Sequence, residues 1–518
     1  MGEVIIERCA AVRSAFEAFW KLRGGRHVVF LDSALPDPRW GRHSIVACDP
    51  VVVFAARGDT VEIKGGTIHF EAPGNPFTVL RDFWGRFQGA CSAPVAAGWD
   101  RRVLAGSGDI PVAGLLLGDK NVAPPSYPAV IDRRYSSMST GALIGYFGYG
   151  LRQFVERVPA RLEDDTGAPD AWFGVYDRLL VFDHERNEAV IVSTGVNEFG
   201  QPDAARARQR ADELNQLLSV PAVLPPPTHY LSPPTSHLSP LTSLHPPSNF
   251  TRDGYERAVE RVRDYIAAGD VYQVNLSQRF ACETKAEPAM LYHALRSANP
   301  APFAAYLDCG EVQVLSSSPE RFVQVEGRRI QTRPIKGTRP RTGDAVADAR
   351  AAQELMASAK DRAELLMITD LERNDLGRVC EFGSVRVAEM VALESYATVF
   401  HLVSTVEGRL TEGVTAVDAV RACFPGGSIT GAPKIRAMEI IDELEPGARG
   451  VYTGAIGWLG FDGDADLNIA IRTLVHRDGR VWFHAGGGIV ADSVPALEYE
   501  ETLHKARGMM QALKCAEV

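Results

Sequence analysis

The pattern of apolar and polar residues predicts a helix followed by a strand at the start of the second half of the chain. Thr251 can cap this helix and Gly269 can end it. One face of the helix carries the apolar residues Tyr255, Val259, Val262 and Ile266. The next segment, VYQVNLSQRF (271–280), alternates apolar and polar residues and therefore predicts a strand. Its expected faces are Tyr272, Val274 and Leu276 on one side and Gln273, Asn275 and Ser277 on the other.

The rest of the pattern places strands in runs, with helices between the groups. In the first half, strand-like runs occur at HVVFLDSA and SIVACDPVVVFAA. In the second half, strands are predicted at FAAYLD, VQVLSSS and RRIQTRPI, and at 452–459, 467–474 and 480–484. Long helices are predicted near 345–375 and from about 494 onward. This grouping indicates an α+β fold.

Two irregular segments interrupt the 518-residue chain, which is long for a single core. Residues 221–249 are rich in Pro, Ser and Thr and contain no Asp, Glu, Lys or Arg, which predicts an extended linker. The alternative is a ligand for a proline-binding domain. Residues 89–140 are rich in Gly, Pro and Ala and are interpreted as an insertion. The predicted organisation is therefore a region 1–220, a linker 221–249 and a region 250–518.

Charge and cysteine content disfavour several classes of protein. The chain has 55 Lys and Arg against 65 Asp and Glu, a net charge of −10, which argues against a nucleic-acid partner. The 8 cysteines are scattered without a C-x-x-C pair, which argues against a disulfide scaffold and favours a reducing cytosol. No apolar run reaches the ~18 residues of a membrane span, and no signal peptide is recognisable. We therefore expect a cytoplasmic protein without a membrane partner.

Two pairs of carboxylates have helical spacing. Asp361 and Glu364 lie three residues apart, as do Glu498 and Glu501, so each pair shares one face of a predicted helix. The pairs are either solvated acidic faces or part of a Mg²⁺ site, in which one or two carboxylates bind directly and the rest act through water.

Lys336 is a candidate nucleophile. It lies in QTRPIKGTRPR between Ile335 and Gly337, and three arginines flank it: Arg333, Arg339 and Arg341. Burial and nearby positive charge would both favour the neutral, nucleophilic amine. The alternative is an exposed basic loop.

Two glycine-rich segments could offer main-chain N–H groups to an anion. The segment 424–434 looks like a phosphate-binding loop, but two residues separate its last glycine from Lys434, so that pattern fails. The segment 486–488 is read as a turn before the final helix, which Asp492 or Ser493 can cap. Plain tight turns are the alternative for both. His401 is expected on a strand, either as a core residue or as a functional one.

Taken together, these segments resemble the chorismate-utilising enzymes, the family of anthranilate synthase component I. The motifs are PIKGTRPR, DLERNDLGRV, FPGGSITGAPKIRAMEIIDELEP, and GGGIVADS followed by EYEET. The resemblance is loose over 1–220 and close over about 250–515. It implies a two-lobed α+β fold with antiparallel sheets packed face to face and helices outside.

The resemblance also implies roles for individual residues. Glu364 and Glu501 match direct ligands of Mg²⁺, while Asp361 and Glu498 match residues that hold its waters. Arg472 matches the residue that clamps a carboxylate of chorismate, a task suited to a guanidinium. The other implied substrate contacts are Gly337, Thr338, Ser428, Tyr452, Gly487 and Gly488. His401 matches a histidine near the leaving hydroxyl, where it could act as a general acid.

Two positions indicate the branch of the family. Anthranilate synthases typically carry Ala where this chain has Lys336, whereas the branch that forms 4-amino-4-deoxychorismate for para-aminobenzoate and folate synthesis carries Lys. Isochorismate synthases use a lysine at the position of Gln273 to activate water, and a neutral amide is no such base. The resemblance thus implies covalent addition of Lys336 at ring C2, followed by attack of ammonia at C4. The rivals are an anthranilate synthase and a non-catalytic subunit that senses an amino acid.

Two further implications concern partners. The chain has no glutaminase elbow around a nucleophilic cysteine, since the closest match, at Cys91, lacks the second glycine. We therefore expect a separate glutaminase subunit to supply ammonia. FLDSA (30–34) resembles a weakened form of the family's tryptophan-pocket motif, and Pro302 and Phe303 resemble the opposite wall. A tryptophan site at Ser33 is therefore an expectation, from which Asp32 departs.

Overall fold

The computed structural model describes residues 4–35, 41–88, 140–226, 246–396 and 399–516. Almost all of the predicted insertion at 89–140, with Cys91, and most of the predicted linker at 221–249 lie outside these ranges. The interpretations of both segments stay predictions.

Within the described ranges the chain forms ten α-helices. They are α1 (Ala15–Leu22), α2 (Pro76–Gly85), α3 (Ala204–Ser219), α4 (Arg252–Ala267), α5 (Pro288–Ala298), α6 (Ala345–Ala357), α7 (Ala359–Gly377), α8 (Ala416–Cys423), α9 (Lys434–Leu444) and α10 (Pro495–Ala516). The cap predicted for α4 is confirmed, because the Thr251 hydroxyl accepts from the Gly254 N–H at 3.1 Å. No helix in the described part of the chain is long and apolar enough to cross a membrane.

The prediction of a single long helix near 345–375 is wrong in one respect, because the segment forms two helices, α6 and α7. Ser358 leaves helical geometry with φ −65° and ψ 107°, and its hydroxyl accepts from the Asp361 N–H at 3.2 Å. This new cap starts α7, the helix that carries Asp361 and Glu364.

The same ranges contain twenty-three strands. They are β1 (Ile5–Arg8), β2 (Val29–Asp32), β3 (His43–Ala47), β4 (Val52–Arg57), β5 (Thr60–Gly65), β6 (Ile68–Pro73), β7 (Ala142–Phe147), β8 (Ala171–Tyr176), β9 (Arg178–Asp183), β10 (Glu188–Ser193), β11 (Gln273–Glu283), β12 (Phe303–Asp308), β13 (Gln313–Ser318), β14 (Arg321–Glu326), β15 (Arg329–Arg333), β16 (Ile335–Pro340), β17 (Arg386–Ser395), β18 (Val399–Arg409), β19 (Gly431–Ala432), β20 (Ala455–Gly460), β21 (Ala465–Ile469), β22 (Thr473–Arg477) and β23 (Arg480–Ile489).

Three strand predictions need correction. The strand predicted at 467–474 is two strands, β21 and β22, separated by a turn in which Arg472 has φ 50°. The glycines 486–488 lie inside β23 rather than in a turn. Tyr272 precedes β11 and is 72% exposed, so it does not share the buried face of Val274.

The strands form two antiparallel sheets that both halves of the chain share. The first sheet has the order β1-β10-β9-β3-β2-β12-β13-β22-β23-β11-β19. The second has the order β16-β18-β15-β14-β21-β20-β7-β8-β4-β5-β6, with β17 paired to β18. The halves join where β2 pairs with β12 and where β7 pairs with β20. The division into regions 1–220 and 250–518 stays a prediction about the sequence, since both regions build each sheet.

The sheets pack face to face, and helices cover their outer faces. Val29 and Ile45 of the first sheet meet Ile144 and Trp172 of the second in the central core. Helices α1, α3, α5 and α10 cover the outer face of the first sheet, and α2, α7 and α8 that of the second. The predicted α+β sandwich with antiparallel sheets is therefore confirmed.

Candidate active site

Lys336 and His401 lie on neighbouring strands. Lys336 pairs with Leu402 and Thr338 with His401, with a register shift between the two pairs. Gly337 occupies the shift with φ 72°, a conformation that glycine adopts without a steric penalty. A Cβ on Gly337 would lie 2.9 Å from Leu355 and 3.0 Å from Asp361, so the strand passes close to the end of α6 and the start of α7.

The Lys336 amine is enclosed and hydrogen-bonded to the turn after α8. Its Nζ donates to the main-chain oxygen of Ser428 at 3.2 Å. Burial lowers the pKa of Lys336, the negative charges of Glu364 and Glu320 oppose this change, and Lys505 reinforces it. A lowered pKa increases the fraction of Lys336 that is present as the neutral, nucleophilic amine at neutral pH.

The predicted influence of the flanking arginines is corrected by the structure. Each of them is paired with a carboxylate: Arg333 with Glu394 at 2.8 Å, Arg339 with Asp361 at 3.1 Å and Arg341 with Asp348 at 3.3 Å. The positive neighbour that affects Lys336 is Lys505 on α10, which is remote in sequence.

Glu320, whose charge acts on Lys336, is a site residue that the sequence analysis missed. Glu320 is 5% exposed, and Oε1 accepts from the Ile335 N–H at 3.4 Å. Burial raises its pKa, while the Ser428 hydroxyl and the Lys336 ammonium oppose the rise. A buried acid next to a buried amine can hold the proton that the amine gives up.

His401 is a buried, neutral imidazole at neutral pH. Its Nδ1 lies 3.0 Å from the Thr338 hydroxyl and 3.4 Å from the Gly337 oxygen. Burial lowers the pKa of His401 to about 4, and the positive charge of Arg472 contributes to the change. The imidazolium that a strong general acid needs is therefore scarce at neutral pH.

The lowered pKa of His401 predicts a pH-dependent stability. Its pKa falls from 6.5 to about 4 on folding, so the unfolded chain binds the proton more tightly. The associated stabilisation, about 3 kcal/mol, is complete above pH 6.5 and is lost as the pH falls toward 4. Urea unfolding at pH 6.5 and at pH 4 measures the free energy of unfolding. Between these two pH values it should fall less in His401→Gln than in the unsubstituted chain. Equal losses would contradict the assignment.

Arg472 and Tyr452 approach the site from turns. The Arg472 guanidinium makes no ion pair within the described residues, and burial lowers its pKa. An uncompensated guanidinium in a partly buried site favours an anionic ligand. Tyr452 stacks on His484 with ring centroids 4.8 Å apart and an angle of 6° between the planes, which fixes the tyrosine ring.

The glycines of β23 make room for side chains on both faces of the strand. A Cβ on Gly487 would lie 3.2 Å from Glu498 and 3.3 Å from Glu501, and one on Gly488 would lie 2.9 Å from the Gln273 amide. The Gln273 side chain is fully buried, and neither of its polar atoms has a hydrogen-bond partner in the described structure. The strand thus separates a carboxylate pair from an unsatisfied amide.

The predicted carboxylates face one another across α7 and α10. Burial raises the pKa of Glu364 and of Glu498, and the charge of Glu501 adds to both shifts. Partial burial would also raise the pKa of Glu501, but Lys505, 2.7 Å away, lowers it. Ser493, one of the two predicted caps of α10, donates to Glu498 at 2.6 Å and accepts from the Val490 N–H at 3.1 Å, which lies outside the helix. Asp361 is paired with Arg339.

The residues expected at a tryptophan site lie on β2 and β12, which pair. Asp32 is opposite Ala304, which follows Phe303 in the chain. Pro302, which precedes Phe303, is buried. The Ser33 hydroxyl donates to the His43 oxygen at 2.8 Å. Asp32 accepts from Arg296 at 2.6 Å and from the Tyr292 hydroxyl at 2.9 Å. The motif's carboxylate is thus paired within the chain, and tryptophan binding stays a prediction.

Comparison of the sequence with known protein families gives a match over most of the chain. The family described as chorismate binding enzyme matches residues 113–511. The chain belongs to the family of chorismate binding enzymes.

Its relatives include two kinds of synthase. The chain is 38% identical to aminodeoxychorismate synthase component 1 of Bacillus subtilis over 507 residues, 97% of this chain and 95% of the relative. It is 45% identical to anthranilate synthase component 1 of Thermus thermophilus over 377 residues, 73% and 78% of the two chains. The crystal structure of anthranilate synthase component I from Streptococcus pneumoniae superimposes with a TM-score of 0.70 at 31% identity, covering 92% and 93%.

Proposed function

We propose that the chain is an aminodeoxychorismate synthase, which converts chorismate and ammonia into 4-amino-4-deoxychorismate. The observation that carries the proposal is the enclosed Lys336 amine, whose pKa is lowered by burial and which has the buried acid Glu320 beside it. Anthranilate synthases typically carry Ala at this position, and an alanine offers no nucleophile. Relatives of both kinds match the chain, so the reaction is assigned from the side chain.

We assign substrate binding first to a charged side chain that has no ion-pair partner among the described residues. Chorismate is a dianion, and the Arg472 guanidinium without an ion pair suits one of its carboxylates. The resemblance to the family implies further substrate contacts at Tyr452, Gly488, Ser428 and the Gly337–Thr338 segment. The fixed ring of Tyr452 and the glycine backbone of β23 orient the substrate without flexible side chains.

The covalent chemistry is assigned to Lys336 and Glu320. The Lys336 Nζ forms a bond to ring C2, both conjugated ring double bonds shift by one position toward C4, and the bond from C4 to its hydroxyl breaks. Glu320, protonated, gives its proton to the departing hydroxyl, which leaves as water. Ammonia then bonds to C4, both double bonds shift back, and the bond between C2 and Nζ breaks to release Lys336, while the new C4 ammonium returns a proton to Glu320. Two displacements replace a single difficult one, and the enolpyruvyl group is retained.

The carboxylates of α7 and α10 fit a Mg²⁺ ion. Their oxygens are hard ligands, and the charge of Glu501 raises the pKa of both Glu364 and Glu498, a repulsion that a bound cation would relieve. Among the described residues no three His, Cys, Asp or Glu side chains are grouped closely enough to hold a metal ion by themselves. We therefore propose one or two direct carboxylate ligands, with water completing the coordination. When bound, Mg²⁺ would supply positive charge beside the ring carboxylate of chorismate.

A substitution at Gly487 should weaken magnesium binding. Gly487→Ala would push a methyl group against Glu498 and Glu501, and we expect the Mg²⁺ concentration for half-maximal activity to rise about 10- to 100-fold. Gly85→Ala is the control, because a Cβ there meets no atom within 4 Å. Titration of activity with Mg²⁺ measures the effect, and an unchanged midpoint in Gly487→Ala would remove the carboxylates from the metal site.

Ammonia is assigned to a partner glutaminase. Free ammonia is mostly protonated at neutral pH and ammonium is not a nucleophile, so nascent ammonia from glutamine is needed. Both synthase relatives carry the designation component 1, which supports a second component.

The test is the identity of the product. The purified chain is incubated with chorismate, Mg²⁺ and a high concentration of ammonium at mildly alkaline pH, and the products are separated and weighed by mass spectrometry. The proposal expects the hydroxyl replaced by an amine with the enolpyruvyl group retained. Anthranilate with free pyruvate would identify an anthranilate synthase instead, and unconsumed chorismate would favour the sensing subunit.

A further inference from the structure

A buried ion pair lies beneath the site, between Arg449 and Glu445. Their side chains are 1% and 3% exposed. The Arg449 Nε donates to Oε2 of Glu445 at 2.9 Å, and Nη2 donates to Oε1 at 2.7 Å. This is the two-pronged geometry in which a guanidinium matches a carboxylate.

The remaining N–H groups of Arg449 reach three separate parts of the site. Nη2 donates to the main-chain oxygen of Asn275 at 2.7 Å, and Nη1 donates to the oxygen of Ile429 at 3.1 Å and to the Thr453 hydroxyl at 3.3 Å. A guanidinium has five N–H donors, and all five are engaged here. The partners belong to β11, to the turn of Ser428 and to the turn of Tyr452.

Glu445 fixes this guanidinium from the opposite side. Its Oε1 also accepts from the N–H and the hydroxyl of Ser277, both at 2.8 Å. The aromatic ring of Tyr149 lies 4.9 Å from the guanidinium carbon. The orientation of Arg449 is therefore set before a substrate arrives.

We propose that Arg449, held by Glu445, is a positioning residue that sets the Ser428 turn against Lys336. Ile429, whose oxygen Arg449 holds, follows Ser428, whose oxygen accepts from the Lys336 Nζ at 3.2 Å. Moving the turn moves the acceptor that orients the amine. The inference rests on the proposed function in taking Lys336 as the reacting group.

A lysine cannot replace Arg449 in this role. Its ammonium is a single point of charge on a flexible stem and lacks the planar fork of five donors. In Arg449→Lys we expect kcat with ammonium to fall about 100-fold, the effect of a misplacement of about 1 Å in a reacting group. The dissociation constant of chorismate should rise less than about tenfold, because Arg472 and the β23 backbone are retained.

The matched control is Arg210→Lys. Arg210 on α3 also grips a fully buried carboxylate, that of Asp177, through Nε at 3.0 Å and Nη2 at 2.7 Å, but it contacts no residue of the site. We expect Arg210→Lys to lower the melting temperature about as much as Arg449→Lys while leaving kcat within about threefold. Glu445→Gln, which keeps the shape of its carboxyl group, gives a second reading and should lower kcat about tenfold.

A measurement that does not depend on the product separates this inference from the proposed function. The rate at which an amine-reactive reagent labels Lys336 is read by peptide mass spectrometry. Loss of the Ser428 acceptor disfavours the ammonium form, so labelling at neutral pH should accelerate at least about threefold in Arg449→Lys and not in Arg210→Lys. This result supports the positioning role even where the wild-type chain forms another product. Unchanged labelling and kcat in both site variants, or an equal loss of kcat in Arg210→Lys, would overturn it.

Discussion

Lys336→Ala is expected to reduce the formation of 4-amino-4-deoxychorismate about 10³-fold or more. The variant removes the nucleophile, and no other free amine is placed to replace it among the described residues. Lys360 and Lys505 are each paired with a carboxylate, at 3.9 Å from Glu364 and 2.7 Å from Glu501. Folding should be preserved, because burial already disfavours the Lys336 ammonium in the folded chain.

The experiment compares initial rates with chorismate, Mg²⁺ and saturating ammonium. Lys514→Ala, a substitution of an exposed lysine near the end of α10, is the control and should retain the wild-type rate. Thermal unfolding checks that Lys336→Ala is folded. A rate within about tenfold of wild type in that variant would show that ammonia displaces the hydroxyl directly, and the covalent route would be abandoned.

Glu320→Gln should have the second-largest effect, a fall in kcat of about 10² to 10⁴-fold. The amide preserves the shape and can still accept from the Ile335 N–H, but it has no acidic proton for the departing hydroxyl. Glu412→Gln, a substitution of an exposed carboxylate, is the control.

At alkaline pH, the activity of the wild-type chain should fall as the pH rises, whereas that of Glu320→Gln should not. The reaction needs Lys336 neutral and Glu320 protonated, so wild-type activity rises as the amine loses its proton and falls as the acid loses its own. In Glu320→Gln only the amine titrates, so the residual activity should rise with pH to a plateau. A bell-shaped profile in the variant would assign the proton to another group.

Much of the site could be predicted from local sequence because its chemistry lies in short ordered motifs. The carboxylate pairs have helical spacing, and the helices that carry them do face one another. Lys336 and His401 were expected near each other only through the resemblance to the family, and the pairing of β16 with β18 supplies the physical reason. The roles given to these residues stay predictions until substrate is bound.

Glu320 and Lys505 could not be predicted, because their importance depends on tertiary contacts. Glu320 lies between β13 and β14 in a segment with no distinctive spacing, and it is burial in the folded chain that raises the pKa of its carboxyl group. Lys505 acts on Lys336 from a helix that is remote in sequence.

The errors in the predicted elements have physical causes of the same kind. Gly486–488 looked like a turn because glycine favours turns, but here glycine is required in a strand by the side chains packed against it. The strand at 467–474 is broken because Arg472 adopts φ 50° between β21 and β22. The sharing of both sheets by the two halves depends on pairs such as β2 with β12, which no local pattern encodes.

The measurement that tests the central claim most directly is the mass of the protein after incubation with chorismate and Mg²⁺ in the absence of ammonia. The account predicts a covalent adduct equal to chorismate less one water, located on Lys336 by peptide mapping and absent from Lys336→Ala. The adduct should disappear on addition of ammonium as 4-amino-4-deoxychorismate is released. An unmodified protein that still aminates chorismate, or an adduct on another residue, would contradict the account.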